Sequence, residues 1–209
     1  MTLLDSYRTV PHAGEAEFTE KRSRFIGHIR PVTAESEAVA FISDIRSRHK
    51  KANHNCYAYI LRAGSIMRYS DDGEPHGTAG TPILEIIRRE GIVDVAVVVT
   101  RYFGGVLLGA GGLARAYAHA AKLALDTAGI AEMCLCAELM LAIPYARYEQ
   151  VLKLLEDYPA RILDTGFAGD VTLTVRIRAD GLAALEGALT EISSGSLRPV
   201  VTGETFAPM

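Results

Sequence analysis

From His54 to Arg62 the chain alternates with a period of two. His54, Cys56, Ala58 and Ile60 share one face, and Asn55, Tyr57, Tyr59 and Leu61 share the other, which is the pattern of a β-strand. Ala63-Gly64-Ser65 then turns the chain back into a partner strand from Ile66 to Tyr69. Upstream, Glu17 to Val32 alternates in places between Gly14 and Pro31, predicting an irregular strand or strand pair whose Lys21, Arg22, Arg24 and Arg30 face water. Val39, Ile42 and Ile45 recur at helical spacing, so a helix is expected from Glu35 to about Lys50, capped by Thr33 and closed by a basic tail that suits a helix C-terminus. Pro82 to Arg89 predicts a short helix with Ile83, Leu84, Ile86 and Ile87 inward, ended by Gly91. The β-branched run Val95 to Val99 reads as a strand covered on both faces. Ala110 to Ala128 reads as a long helix that packs through Leu113, Tyr117, Ala120, Ala121 and Ala124, shows Arg115, His119, Lys122 and Asp126 as a polar stripe, and stops at Gly129.

Beyond about residue 130 the pattern starts again. Strand Cys134–Pro144, helix Tyr145–Tyr158, strands Arg161–Ala168 and Val171–Ala179 around a Gly169-Asp170 turn, helix Gly181–Ser193 and strand Leu197–Thr202 give the order βαββαβ. That order is the ferredoxin-like arrangement, compact enough to stand alone. The expected fold class is therefore α+β in two domains, residues 1–130 and 131–209, joined closely through Asp126 to Ile130.

Charge sharpens the division. Residues 1–130 hold 16 Lys and Arg against 14 Asp and Glu, a net of +2, while residues 131–209 hold 6 against 11, a net of -5. All six histidines also fall in the first part, so an anionic partner would be bound there. The apolar stretches, such as Val95–Val99 and Leu139–Ile143, are far shorter than the roughly 20 residues of a membrane span. The N-terminus, Met1 to Tyr7, does not read as a secretory signal, so a cytoplasmic location is expected. Cys56, Cys134 and Cys136 show neither disulfide nor zinc-ribbon spacing and read as packed thiols.

The candidate chemistry gathers in two loops. The first runs through Ser70, Asp71, Asp72, Gly73, Glu74, Pro75 and His76, and the second through Thr100, Arg101, Tyr102, Phe103, Gly104 and Gly105. Asp71, Asp72, Glu74 and His76, with His54, offer enough donors for a divalent ion, but in no recognised metal spacing, and a capped tight turn accounts for them equally. Ser70 or Cys56 with His54 or His76 as base lacks a nucleophile elbow. Gly109-Ala110-Gly111-Gly112-Leu113-Ala114 satisfies GxGxxA, yet it stands nine residues past the strand end instead of in the tight first turn of a dinucleotide fold. What remains is a helix start with open N–H groups and Arg115 one turn in, a set that can hold a phosphate or carboxylate. Arg101 and Tyr102 can grip a phosphate and stack a base. Pairing of Arg101 with Asp71, Asp72 or Glu74 is an equally good reading.

Taken as runs, Ala52–Ala58, Ser70–Pro75 with Gly77–Gly80, Val97–Gly105 and Leu108–Tyr117 closely resemble the IMPACT family, specifically its bacterial YigZ-like members. The resemblance covers residues 15–128 strongly, and the acidic βαββαβ part looks like the second domain of the same bacterial proteins. It implies a first domain similar to domain IV of elongation factor G and a second similar to that factor's ferredoxin-like domain V. It also implies a link to translation, since the eukaryotic relatives regulate initiation under amino-acid stress. Those relatives carry a different N-terminal domain that this chain lacks, so their protein partner does not carry over. The sequence therefore favours a regulator that binds RNA or the ribosome over an enzyme. The expected contact set is Arg101, Tyr102, Gly104, Gly105, Gly109, Gly111, Gly112 and Arg115, with His54, Ser70, Asp71, Asp72 and Glu74 as an associated loop, and no catalytic residue, metal or cofactor is assigned. A metal-dependent hydrolase, or an enzyme acting on a small anionic ligand, is the alternative.

Overall fold

A computed structural model describes residues 6–209. The first five residues, part of the stretch read for a secretory signal, lie outside the described residues. The chain divides into two compact units, one of residues 8–131 and one of residues 132–209 together with residues 6–7. Both are mixed α and β. Among the described residues, no helix is long and apolar enough to cross a membrane.

The first unit holds strands β2 (Gly14–Glu20), β3 (Ser23–Pro31), β4 (His54–Leu61), β5 (Ile66–Ser70) and β6 (Val95–Tyr102), and helices α1 (Glu35–Arg48), α2 (Gly80–Arg89) and α3 (Ala110–Ala128). Its sheet has the order β2-β3-β6-β4-β5, every neighbouring pair being antiparallel. β6 is the middle strand and is buried from Val95 to Arg101. Its side chains alternate: Ala96 and Val98 pack with Phe41, Ile42 and Ile45 of α1, whereas Val97 and Val99 pack with α2 and α3. The strand pair expected near the start is a hairpin whose two turn residues, Lys21 and Arg22, have φ of 44° and 67°, as a two-residue primed turn requires. α3 lies very close to the sheet, because a Cβ at Gly27 would stand 2.2 Å from the Ala120 carbonyl oxygen.

Three local expectations are corrected in this unit. α1 buries Ala38, Phe41, Ile42 and Ile45, leaving Val39 more than half exposed, since Ala38 and Phe41 complete the inward stripe and Val39 falls beside it. Thr33 is not the cap; Ala34 holds that position, and the Glu37 carboxylate reaches back to the N–H groups of Thr33 and Ala34. Ile86 is only partly buried at the edge of the core.

The second unit contains β7 (Ala131–Ile143), α4 (Tyr148–Leu155), β8 (Ala160–Phe167), β9 (Val171–Arg178), α5 (Leu182–Ser193) and β10 (Val200–Pro208). The antiparallel order β10-β7-β9-β8 is ferredoxin-like, and β1 (Ser6–Thr9) adds beside β7. Val171, Leu173, Val175 and Ile177 alternate inward along β9 onto Val151, Leu185 and Leu189. The last strand begins later than expected. Leu197 is a core residue ahead of it, and Pro199, with no N–H to give a ladder, stands just outside it.

Candidate functional site

The acidic loop leaves β5 and enters α2 alongside the paired ends of β4 and β6, where His54 is opposite Arg101 and Asn55 opposite Thr100. Much of the loop's polarity fastens the loop itself. Asp71 accepts the backbone N–H groups of Gly77 at 2.9 Å, Ala79 at 3.1 Å and Gly80 at 2.8 Å, which closes the start of α2. Burial works to raise the Asp71 pKa, yet these N–H groups hold it below the ordinary carboxylate value. The Ser70 hydroxyl accepts the Asp72 N–H at 3.1 Å. Asp72 accepts the Asn55 N–H at 2.7 Å and pairs with Arg46 of α1 at 2.7 Å. His76 is almost wholly exposed.

Glu74 behaves differently. Its Oε1 takes Nη1 of Arg101 at 2.6 Å and the Tyr117 hydroxyl at 2.7 Å, with the carboxylate 4% and the guanidinium 6% exposed. Nη2 of Arg101 donates to Ser23 Oγ at 3.3 Å, which also accepts the Gly104 N–H at 3.2 Å. The guanidinium carbon lies 5.5 Å from the Phe25 ring centre and 5.3 Å from that of Phe103, while Nε has no acceptor. His54 gives its Nδ1 hydrogen to the Asp72 carbonyl at 2.9 Å, and its Nε2 lies 3.8 Å from Glu74 Oε1. Cys56 is fully buried, its thiol donating to the Asp71 carbonyl at 3.0 Å, and burial pushes its pKa up to about 12. A thiol in that state is no nucleophile. Burial, with Cys56 and Glu74 nearby, also raises the pKa of Tyr117.

Two clefts flank the start of α3. One of about 370 Å³ is lined by Asn53, His54, Glu74, Arg101, Phe103, Leu107, Gly109 and Ala110. The second, of about 300 Å³, is lined by Phe18, Lys21, Gly112, Arg115 and His119. Leu108 borders both. Gly109 makes the sharp entry into α3 at φ 74°, a conformation that favours glycine. Gly104 is held for another reason: a Cβ there would stand 1.9 Å from the Arg22 carbonyl oxygen. Gly105 has φ 83°, and a Cβ at Gly111 would face the Arg115 guanidinium.

The contact set and the associated loop expected from the sequence are thus divided. Arg101, Glu74, His54 and Gly109 meet at the first cleft, and Gly112 and Arg115 at the second. Tyr102 is on neither, because neighbours on a strand point to opposite faces. It stands on the α1 side, bonded to His49 Nδ1 at 3.0 Å with Arg24 above its ring. Ser23, Asn53 and the hydroxyl of Tyr117 escaped the sequence reading. A lone phenol on the small-residue face of α3 is the one signal that pointed to a buried polar partner. Among the described residues, no three His, Cys, Asp or Glu side chains are grouped to hold a metal ion.

Comparison with known proteins agrees with the two units. The family profile described as Impact N-terminal domain matches residues 21–125, and one described as Domain of unknown function (DUF1949) matches residues 141–196. The chain is 36% identical to IMPACT family member YvyE of Bacillus subtilis over 194 residues, 92% of this chain and 89% of that protein. Identity to IMPACT family member YigZ of Escherichia coli is 33% over 181 residues, 85% and 89% of the two chains. A crystal structure of a hypothetical protein aligns over 96% of this chain and 99% of its own, at 30% identity and a TM-score of 0.62.

Proposed function

This chain belongs to the IMPACT family, and from that premise we propose that it is a cytoplasmic, translation-associated protein whose first unit binds RNA or a ribosomal surface. The carrying observation is the cleft beside α3. Lys21 and Arg115 line it with His119 and the edge of Phe18, and among the described residues neither cation is in an ion pair. Cations with no counter-ion, next to an aromatic side chain, suit phosphates and bases. Arg22, exposed in the same hairpin turn, extends the patch. Glu20, which lines the same cleft, and a net charge of only +2 in the first 130 residues keep the affinity modest. The link to translation that the family resemblance implies in eukaryotic members supports the same reading.

The test is titration of the chain with single-stranded RNA and with ribosomes at two salt concentrations. Arg115→Ala lowers the slope of log K against log salt by about 0.7 for single strands, one phosphate contact. Tyr102→Ala, on the other sheet face, leaves binding unchanged. Absence of binding at low salt, or an Arg115→Ala protein that is folded and binds like the parent, defeats the reading.

A further inference from the structure

We infer that the cleft of about 370 Å³ beside the acidic loop takes an amino-bearing nucleobase, cytosine or adenine, by the edge that sets its NH2 group next to a ring nitrogen. This rests on the RNA reading above only for the source of the base; the pocket itself is carried by other residues. Both hydrogen bonds to Glu74, from Arg101 and from Tyr117, end on Oε1, whereas a carboxylate accepts on each of its oxygens. Among the described residues nothing donates to Oε2, and it is not sealed from solvent as the unpartnered Nε of Arg101 is. A side chain more than nine-tenths buried thus keeps one acceptor open on the cleft.

His54 adds a second acceptor. Its Nδ1 donates to the Asp72 carbonyl at 2.9 Å, so in the neutral ring Nε2 carries the lone pair. Nε2 is 3.8 Å from Glu74 Oε1, too far for the two to be hydrogen-bonded to each other. Asn53 supplies the opposite function: its oxygen accepts the Phe103 N–H at 2.8 Å, so its NH2 group is left to donate. Two acceptors with one donor match an NH2 group that has an acceptor beside it. Cytosine and adenine present that edge, while uracil and hypoxanthine put an oxygen where the NH2 would be.

Charge and shape narrow the class. Arg101 neutralises Glu74 at 2.6 Å, so a further cation would face the guanidinium and an anion would face the open Oε2. A neutral ligand meets neither. Phe103 is 43% and Leu107 82% exposed, and with Leu108, Leu113 and Pro75 they give the cleft its apolar surface. An aromatic ring among aliphatic side chains suits the flat face of a base. Leu108 also borders the cleft of Lys21 and Arg115, so the base pocket adjoins the surface proposed for phosphates.

Titration of the full chain, free of RNA, with cytidine against uridine and adenosine against inosine, followed by amide NMR, tests this. Cytidine and adenosine are expected to shift the Asn53, Glu74 and Phe103 amides saturably, with a Kd of about 1 mM or tighter. That Kd is the same at two salt concentrations, since no phosphate takes part, and uridine and inosine bind at least about fivefold more weakly. Phe103→Ala, at a part-exposed position, weakens cytidine at least about threefold. Glu74→Gln keeps an oxygen for Arg101 and Tyr117 and offers an NH2 to the cleft, so the preference passes to uridine; if that variant does not fold, Phe103→Ala and the preference of the parent decide. No saturable shift, uridine binding as tightly as cytidine, a folded Phe103→Ala protein with unchanged Kd, or a folded Glu74→Gln protein with unchanged preference would each overturn the assignment. Cytidine binding without binding of oligocytidylate RNA supports the pocket and defeats the RNA reading, whereas RNA binding without cytidine binding does the reverse.

Discussion

Arg101 and Arg115 stand on either side of the start of α3 and share little except their charge. Arg101 is buried against Glu74, Ser23 and two aromatic rings, at the end of the central strand. Arg115 lines the neighbouring cleft with no ion pair among the described residues. A buried cation must be matched by the protein before it can be used on anything else, whereas an open one is available to a ligand. Residue type alone assigns both to one surface; environment separates them.

The largest effect expected is on that contrast. Arg101→Ala leaves the Glu74 carboxylate buried without its counter-ion and should cost about 3–5 kcal/mol in urea unfolding, against a change within about 0.5 kcal/mol for Arg115→Ala. Equal stabilities for the two variants would erase the distinction.

Burial need not preserve charge, and His28 sharpens the comparison. It is 2% exposed on β3. Burial lowers its pKa to about 4, helped by His49 and Arg48 and opposed by Glu15, whose carboxylate is 3.1 Å from Nδ1. Because the folded pKa lies below the unfolded value of 6.5, the unfolded chain binds the proton more readily between them. The stability tied to the neutral ring is complete above about pH 6.5 and falls as the pH drops toward about 4, by at most about 3 kcal/mol. His28→Gln should flatten this part of the pH profile of unfolding; an unchanged slope would assign it to the carboxylates.

The smallest effect concerns the third partner of the buried pair. Tyr117→Phe keeps the ring and deletes one hydrogen bond to Glu74, so a loss of about 1–2 kcal/mol is expected in the same measurement. No loss would mean that Arg101 alone satisfies the carboxylate.

Periodicity by itself determined the helix and strand types, the two faces of β4, the full span of α3 and the βαββαβ order of the second unit, because each follows from a repeat of 2 or 3.6 that burial imposes locally. It misplaced Val39, which falls beside the inward stripe of α1, and also Thr33 and the last strand, where one turn residue or one proline decides the boundary. The tertiary structure alone decided which polar residues meet. Asp71 and Glu74 are three positions apart, yet one closes a helix and the other holds a buried arginine; Arg101 and Tyr102 are adjacent, yet they face opposite sides of the sheet. A sequence records which donors and charges are present, but their partners depend on strand register and on how closely α3 approaches the sheet, and those are settled only when the core packs.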